Sequence, residues 1–464
     1  MQIIRAIEEK SRLMPQRAAL SDGGRIITYA ELPAAIQQMA GKLLAADCKR
    51  LAIAGDNSIE WIISDLAALA CGIPVIPLPP FFTPAQRQGV LESSGATHIA
   101  LGAALVPAAL SLQPLLPDGT DKITYTSGST GAPKGVCLPQ DGLEAVATSI
   151  GAILGSQHVG KHLCVLPLGV LLENVAGVYT ALMTGATVCV PALAVIGFQN
   201  PFRPDFAALL RAIVERKATS IILVPELLRG LMAEIRKFGL PPKGLTFAAV
   251  GGAKVAPELL TQAQQLGLPV YEGYGLSECG SVVSLNTPSM ARTGSAGRLL
   301  PHVRAHVDSS GEIVIDNPCF LGYLGDAPRR SGGFATGDIG HIDDEGFVTL
   351  QGRRKNLIIT SFGRNISPEW VESVLLSQPQ IRQAVVYGDG ESALKALVVP
   401  AAADADIKSA IAQANSQLPA YAHIADIREV PPLTAENGFL TGNGRIKRTT
   451  VLNHFCQGAC HDVL

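Results

Sequence analysis

The sequence predicts an α/β protein in three parts: a large N-terminal unit of helix-covered, mostly parallel sheets, a small barrel-like antiparallel subdomain, and a small separate C-terminal α/β unit. Three observations lead there. Strand-like apolar runs alternate with helix-like ones through the first half, the order that generates parallel sheets under helices. Glycine and proline are plentiful (47 and 31 residues) while aromatics make up only 5%, which favours tight loops over a helical bundle. Hydrophobic residues are 47% of the 464 and charged ones 16%, a balance that fills a large core and excludes disorder. A chain of this length is expected to hold two or three domains.

The elements follow in order. RLAIAG (50–55) has the continuous apolar character of a buried strand, IEWIISDLAALACG (59–72) that of a helix ended by Gly72, and IPVIPL (73–78) that of the next strand. The same alternation returns at SIILVP (220–225), LTFAAVG (245–251) and LPVYEGYG (268–275). After about residue 295 the pattern shortens to GRLLP, RAHVDSSGEIVID and HIDDEGFVTLQGR, short strands between Gly-rich turns. From Arg353 a third pattern begins: a helix at SPEWVESVLLSQ, strands at AVVYGD and KALVVP, and a helix at ADIKSAIAQANSQL. The expected division is 1–352 and 353–464.

Composition also excludes partners and compartments. With 37 Lys+Arg against 39 Asp+Glu, net charge −2, no polybasic excess exists to hold a nucleic-acid backbone. The nine cysteines are scattered without CxxC spacing. Cys456 and Cys460, beside His454 and His461, form a metal-like cluster that lacks zinc-ligand spacing. A reducing, cytoplasmic location is expected, and the start MQIIRAIEEKSR has no apolar core of a signal peptide. Residues 175–198 are free of charge, but their Gly, Thr and Pro content fits a buried helix, a turn at Gly185 and a core strand better than a membrane span.

The strongest local signal is ITYTSGSTGAPKG (123–135). Hydroxyls, glycines and one cation, Lys134, make a loop whose backbone amides suit a polyphosphate. It is not a Walker loop, because Pro133 precedes Lys134 and Gly135 follows it.

This string resembles the phosphate-binding signature of the adenylate-forming superfamily, which includes acyl-CoA synthetases, luciferases and nonribosomal adenylation domains. Further matches follow in the family's order: Gly251-Gly252-Ala253 is similar to its adenine-wall turn and YEGYGLSE (271–278) to its Tyr-Gly-x-Thr-Glu motif. Thr336-Gly337-Asp338, GRRKNLI (352–358) and NISP (365–368) resemble its ribose site and hinge. The resemblance implies ATP, Mg²⁺ and CoA (or a carrier protein's phosphopantetheine) as cofactors. It implies activation of a small carboxylic acid as acyl-AMP and transfer to the thiol, with an acyl carrier protein as a possible partner. Thr126, Ser127, Gly128, Ser129, Thr130 and Gly131 are then the phosphate loop, and Gly252, Ala253, Glu272, Gly273, Tyr274 and Gly275 the adenine side. Ser277 bonds the α-phosphate, Glu278 carries Mg²⁺ and, with Lys134, serves catalysis. Asp338 and Arg353 face the ribose, and Lys355 is the hinge.

These roles make chemical sense. Joining a carboxylate to an α-phosphate brings two anions together, so positive charge must gather where they meet. The carboxylate of Asp338 offers two acceptors to two ribose hydroxyls.

Two segments point to long-chain fatty acyl-CoA synthetases. The loop SFGRN (361–365) and the segment LPLGVLLEN (166–174) are similar to theirs, although they carry an aromatic or histidine where Val170 stands. Val170, Leu171 and Gly251 are the expected acyl pocket, and a fatty acid the expected substrate. One departure is larger. The family's C-terminal signature ends Gly-Lys-x-x-Arg; here TGNGRIKR (441–448) puts Arg445 in the lysine's place. Arginine keeps the charge but not the shape. Either Arg445 does the work, or Lys447 has replaced it, or adenylation has weakened toward a nucleotide-binding role.

Overall fold

The computed structural model describes residues 2–108, 114–127, 133–158, 160–200, 204–239, 241–327, 329, 332–441 and 444–456. Two large sheets share the N-terminal unit. In the first, Ser220–Leu223, Phe247–Val250 and Val270–Tyr274 run parallel and adjacent, as the alternation in the sequence predicts. Lys161–Leu163, Thr187–Cys189 and Ala18–Ser21 extend it in parallel register, and Ile26–Thr28 closes that edge. The second sheet runs Gly322–Tyr323, Pro133–Leu138, Lys122–Ser127, Val75–Pro77, Leu51–Ala54, His98–Leu101, Ala104–Pro107. Its centre is parallel and its ends are antiparallel hairpins.

Local chemistry explains the helices between them. Ser58 caps the helix Ile59–Ala70, accepting the Trp61 amide at 3.2 Å. Its Ile59, Trp61, Ile62, Leu66 and Leu69 are buried, so this helix is apolar on more than one face and sits inside the unit.

The expected turn at Gly185 is present, with the left-handed φ of 81° that a side chain resists. It separates Thr180–Thr184 from the strand Thr187–Cys189. Before it, Leu172–Tyr179 is a π-helix, which the sequence reading did not anticipate. No helix among the described residues is long and apolar enough to cross a membrane.

The subdomain after residue 295 is an open four-stranded antiparallel sheet: Ala305–Val307, Glu312–Ile315, Phe334–Ile342, Val348–Arg353. Arg298–Leu299, expected within it, pairs instead with Ser284–Leu285 on the large sheet and bridges to Phe347. The C-terminal unit follows its sequence pattern. Helices Pro368–Leu376 and Ile407–Ser416 pack on the strands Ile381–Tyr387, Leu394–Pro400 and Ile424–Glu429 around a core of its own.

Candidate active site

The expected site residues come from both units, and several lie at the ends of the parallel strands Phe247–Val250 and Val270–Tyr274. Thr126 and Lys134 face each other across the hairpin that flanks the phosphate-loop signature. Gly128, Ser129, Thr130, Gly131 and the side chain of Ser127 lie outside the described residues, as do Cys460 and His461 of the metal-like cluster. Lys134 places its ammonium over the Tyr323 ring, 5.2 Å from the centroid. The Tyr323 hydroxyl donates to Glu278 Oε1 at 2.9 Å. Glu278 itself sits on the one-turn helix Ser277–Cys279 that follows Val270–Tyr274. Among the described residues its second oxygen has no hydrogen-bond partner, and Ser277 is half-buried beside it. This carboxylate therefore has the free hard oxygen that a divalent cation takes, and the residues present fit Mg²⁺.

A second cluster gathers the residues expected to face a nucleotide's sugar. Tyr274 donates its hydroxyl to Asp338 Oδ2 at 2.7 Å, and Arg353 Nε pairs with Asp338 Oδ1 at 2.7 Å. Asp338 and Arg353 are register partners on neighbouring strands, which fixes their approach. Arg353 also donates to the Thr336 carbonyl at 3.1 Å. Both Asp338 oxygens thus hold one protein partner each and keep one lone pair apiece for a ligand, while Arg353 braces Asp338 as much as it faces outward. Burial raises the Asp338 carboxyl above its ordinary range, with Arg353 opposing.

The turn after Phe247–Val250 carries Gly251, Gly252 and Ala253. Gly251 is buried, and a Cβ there would meet the Gly273 carbonyl at 2.9 Å. That closeness keeps the turn against Gly273 and Tyr274. Gly275 is tighter: a Cβ would fall 1.7 Å from the Ser281 carbonyl. Glu272 is buried beside Lys254, and burial pushes its carboxyl up to about 8. It therefore underlies the adenine side more than it opens onto it. Lys254, which the sequence reading passed over, donates to the Leu350 carbonyl.

Arg445 reaches this turn from the C-terminal unit. It follows a tight turn in which Gly444 donates to the Thr441 carbonyl at 2.9 Å, and one guanidinium nitrogen donates to the Gly252 carbonyl at 3.2 Å. Lys447, two residues on, precedes the helix Arg448–Cys456 with an exposed side chain and makes no such contact. Lys355 lies exposed in the short helix Arg354–Asn356 between the two units. Arg354, its neighbour, pairs with Glu312 at 2.9 Å on the N-terminal side.

Val170 is half-buried and Leu171 buried just before the π-helix. Leu171 belongs to the large core cluster of the N-terminal unit, on which Ala249 and Tyr271 also pack. Two buried polar networks hold it. Glu173 accepts His162 at 2.7 Å and the Val165 and Leu166 amides at 3.1 and 2.7 Å. Asn174 and Tyr179 join Lys122 and Asp65, whose ion pair spans 2.8 Å. His162, Cys164 and Glu173 lie close enough to hold a metal. Both Glu173 oxygens are already satisfied within the protein, and His162 is also bonded to Ser220 at 3.0 Å, so the group acts as a brace.

A family model described as AMP-binding enzyme matches residues 7–122 and 111–324, and one described as AMP-binding enzyme C-terminal domain matches 355–458. The chain is 28% identical over 421 residues to a 2-succinylbenzoate–CoA ligase of Bacillus subtilis, covering 82% of this chain and 84% of that one. It is 26% identical over 532 residues to the long-chain-fatty-acid–CoA ligase FadD15 of Mycobacterium bovis, covering 88% and 87%. The solved O-succinylbenzoate CoA synthetase of Bacillus subtilis, in complex with ATP and magnesium ion, superposes with a TM-score of 0.77 at 25% identity over 96% of this chain and 98% of that one.

Proposed function

The chain belongs to the AMP-binding enzyme family, and from that premise we propose which residues of this ligase do its chemistry and which acid it takes. The enzyme is an AMP-forming, acyl-CoA synthetase-like ligase that uses ATP, Mg²⁺ and CoA to convert a small carboxylic acid to its thioester.

The observation that supports the site is the contact of Arg445 with the Gly252 carbonyl. It carries a cation from the C-terminal unit to the nucleotide side of the N-terminal one. In the first half-reaction the carboxylate attacks the α-phosphorus and pyrophosphate leaves. Two anions approach, and Arg445 supplies the counter-charge. Lys134 meets the departing phosphates, Ser277 donates to an α-phosphate oxygen, and Glu278 would hold Mg²⁺. Bound there, Mg²⁺ neutralises phosphate charge as a Lewis acid. Tyr274 presents its ring to adenine, and Asp338, braced by Arg353, accepts from the ribose. In the second half-reaction the CoA thiol attacks the acyl carbonyl and AMP leaves, after the unit beyond residue 352 pivots at Lys355.

The acid is a fatty acid. Val170, Leu171 and the side-chain-free Gly251 offer apolar surface to a hydrocarbon chain. The named activity of FadD15 agrees with this. That of the 2-succinylbenzoate ligase favours a second reading, an aromatic keto diacid. Incubating the enzyme with ATP, Mg²⁺, CoA and a mixed panel of fatty, aryl and 2-succinylbenzoic acids, then weighing the thioesters by mass spectrometry, tests the choice. Long-chain acyl-CoA as the main product is expected; succinylbenzoyl-CoA alone would overturn it. A parallel arm with an acyl carrier protein tests the acceptor. Arg445 in a lysine's position favours slow adenylation, read as pyrophosphate release. The eight described cysteines are all unpaired, which supports a reducing, cytoplasmic setting.

A further inference from the structure

Tyr323 stands at a junction that neither the motifs nor the chemistry above assigns. Its hydroxyl donates to Glu278 Oε1 at 2.9 Å, while its ring lies under the Lys134 ammonium at 5.2 Å. It is held firmly. Gly322 and Tyr323 pair with Cys137 and Val136 on the strand that leaves the phosphate-loop signature. Leu321 and Leu324 donate to the Cys137 and Gly135 carbonyls at 3.0 and 2.8 Å. Phe320 meets the ring edge-on, 4.7 Å between centroids at 64°. Such a fixed tyrosine can orient two neighbours at once, one by its hydroxyl and one by its ring face.

The charges it separates are opposite. Lys134 and Glu278 would gain by collapsing into an ion pair, which would occupy the carboxylate oxygen meant for the metal and the ammonium meant for phosphate. Among the described residues no ion pair joins them. A neutral phenol between the two satisfies one Glu278 oxygen without consuming the other, and offers Lys134 an attraction that leaves its N–H groups free.

We propose that Tyr323 is a positioning residue for the metal–phosphate step: it anchors Glu278 through one oxygen, leaves the other for Mg²⁺, and keeps Lys134 from pairing with that carboxylate. The proposal rests on the reading of Glu278 as the metal carboxylate.

Binding of ATP to the whole enzyme, measured by calorimetry in Mg²⁺ and again in EDTA, tests it without turnover. Tyr323→Phe keeps the ring, its Phe320 contact and the Lys134 cation, and removes only the hydroxyl. The expected result is ATP binding about tenfold weaker in Mg²⁺, the usual scale for losing a partner of a metal ligand, and unchanged in EDTA. Tyr323→Leu should weaken binding in both conditions, because Lys134 then turns to Glu278. In a Glu278→Gln background, Tyr323→Phe should have no further Mg²⁺-specific effect. Parent-like binding by Tyr323→Phe in Mg²⁺ overturns the proposal. So does an equal loss in Mg²⁺ and EDTA, the mark of general loosening, or an undiminished loss in the Glu278→Gln background. If Glu278→Gln alone binds Mg²⁺-ATP like the parent, the metal assignment of Glu278 has failed instead, whatever Tyr323→Phe does.

Discussion

Replacing Arg445 with alanine removes the cation that the C-terminal hairpin carries to the Gly252 carbonyl. A unit charge about 4 Å from a phosphate oxygen is worth about 4 kcal/mol at an effective dielectric near 20. Arg445 is exposed, so water screens part of that, and about 2–3 kcal/mol of transition-state stabilisation remains. The adenylation rate should fall about thirty- to two-hundredfold. Arg445→Lys should match or exceed the parent, since a compact ammonium fits between carboxylate and phosphate without having to find a tilt. The assay is pyrophosphate exchange, with thioester formation from preformed acyl-AMP measured beside it and expected to be spared. Lys447→Ala is the control, because its side chain makes no contact with the Gly252 turn. Parent-rate adenylation by Arg445→Ala would rule out this role for the guanidinium, and the role passes to Lys447 if Lys447→Ala is the damaging change.

Three other outcomes follow from the structure. Lys355→Pro, which fixes a backbone torsion at the junction of the units, should impair pyrophosphate exchange and thioester formation unequally; equal losses would speak for misfolding. Lys122→Met strands the buried Asp65 carboxylate and should cost about 3–5 kcal/mol in urea unfolding, whereas Lys122→Met with Asp65→Asn should recover much of it. A parent-like midpoint for the single variant would refute the network's importance. Glu272 binds its proton up to about pH 8 when folded but only to about 4.5 when unfolded. The folded state therefore holds the extra proton between those values, and stability should decline as pH rises from about 4.5 to about 8. Glu272→Gln should flatten that decline; parallel curves would contradict it.

The parallel core was legible because buried strands such as Ser220–Leu223 and Phe247–Val250 are short, continuously apolar and bounded by turns. The C-terminal unit was legible because Ser367 and the periodicity after it mark a helix start, and Ser367 does accept the Trp370 amide at 3.3 Å. Asp338 and Arg353 could be named from motifs, but not their pairing, which comes from strand register. Lys122 looks like a solvated charge in sequence, and only the fold brings it to Asp65, 57 positions away, with both side chains buried. Tyr323 gave no local signal, since its meaning lies in Glu278, 45 positions away. The antiparallel subdomain after residue 295 was foreseen, but the placement of Arg298–Leu299 was not, because a two-residue strand carries too little pattern to choose a partner.

The π-helix Leu172–Tyr179 changes how this stretch can be edited. A π turn accommodates one residue more than an α turn, so the segment behaves as an α-helix into which a single residue has been inserted. Winding the same residues as an α-helix would rotate everything downstream by about 100°. Glu173 and Asn174 are adjacent, yet they serve the His162 and Asp65 networks respectively, and Tyr179 completes the second. Wound as α, these residues could keep Glu173 in place only by swinging Tyr179 away from Asp65, or the reverse, whereas a one-residue deletion lets the turn relax with both ends in register. A single-residue deletion between Asn174 and Tyr179 should therefore disturb the two networks less than a single-residue insertion there.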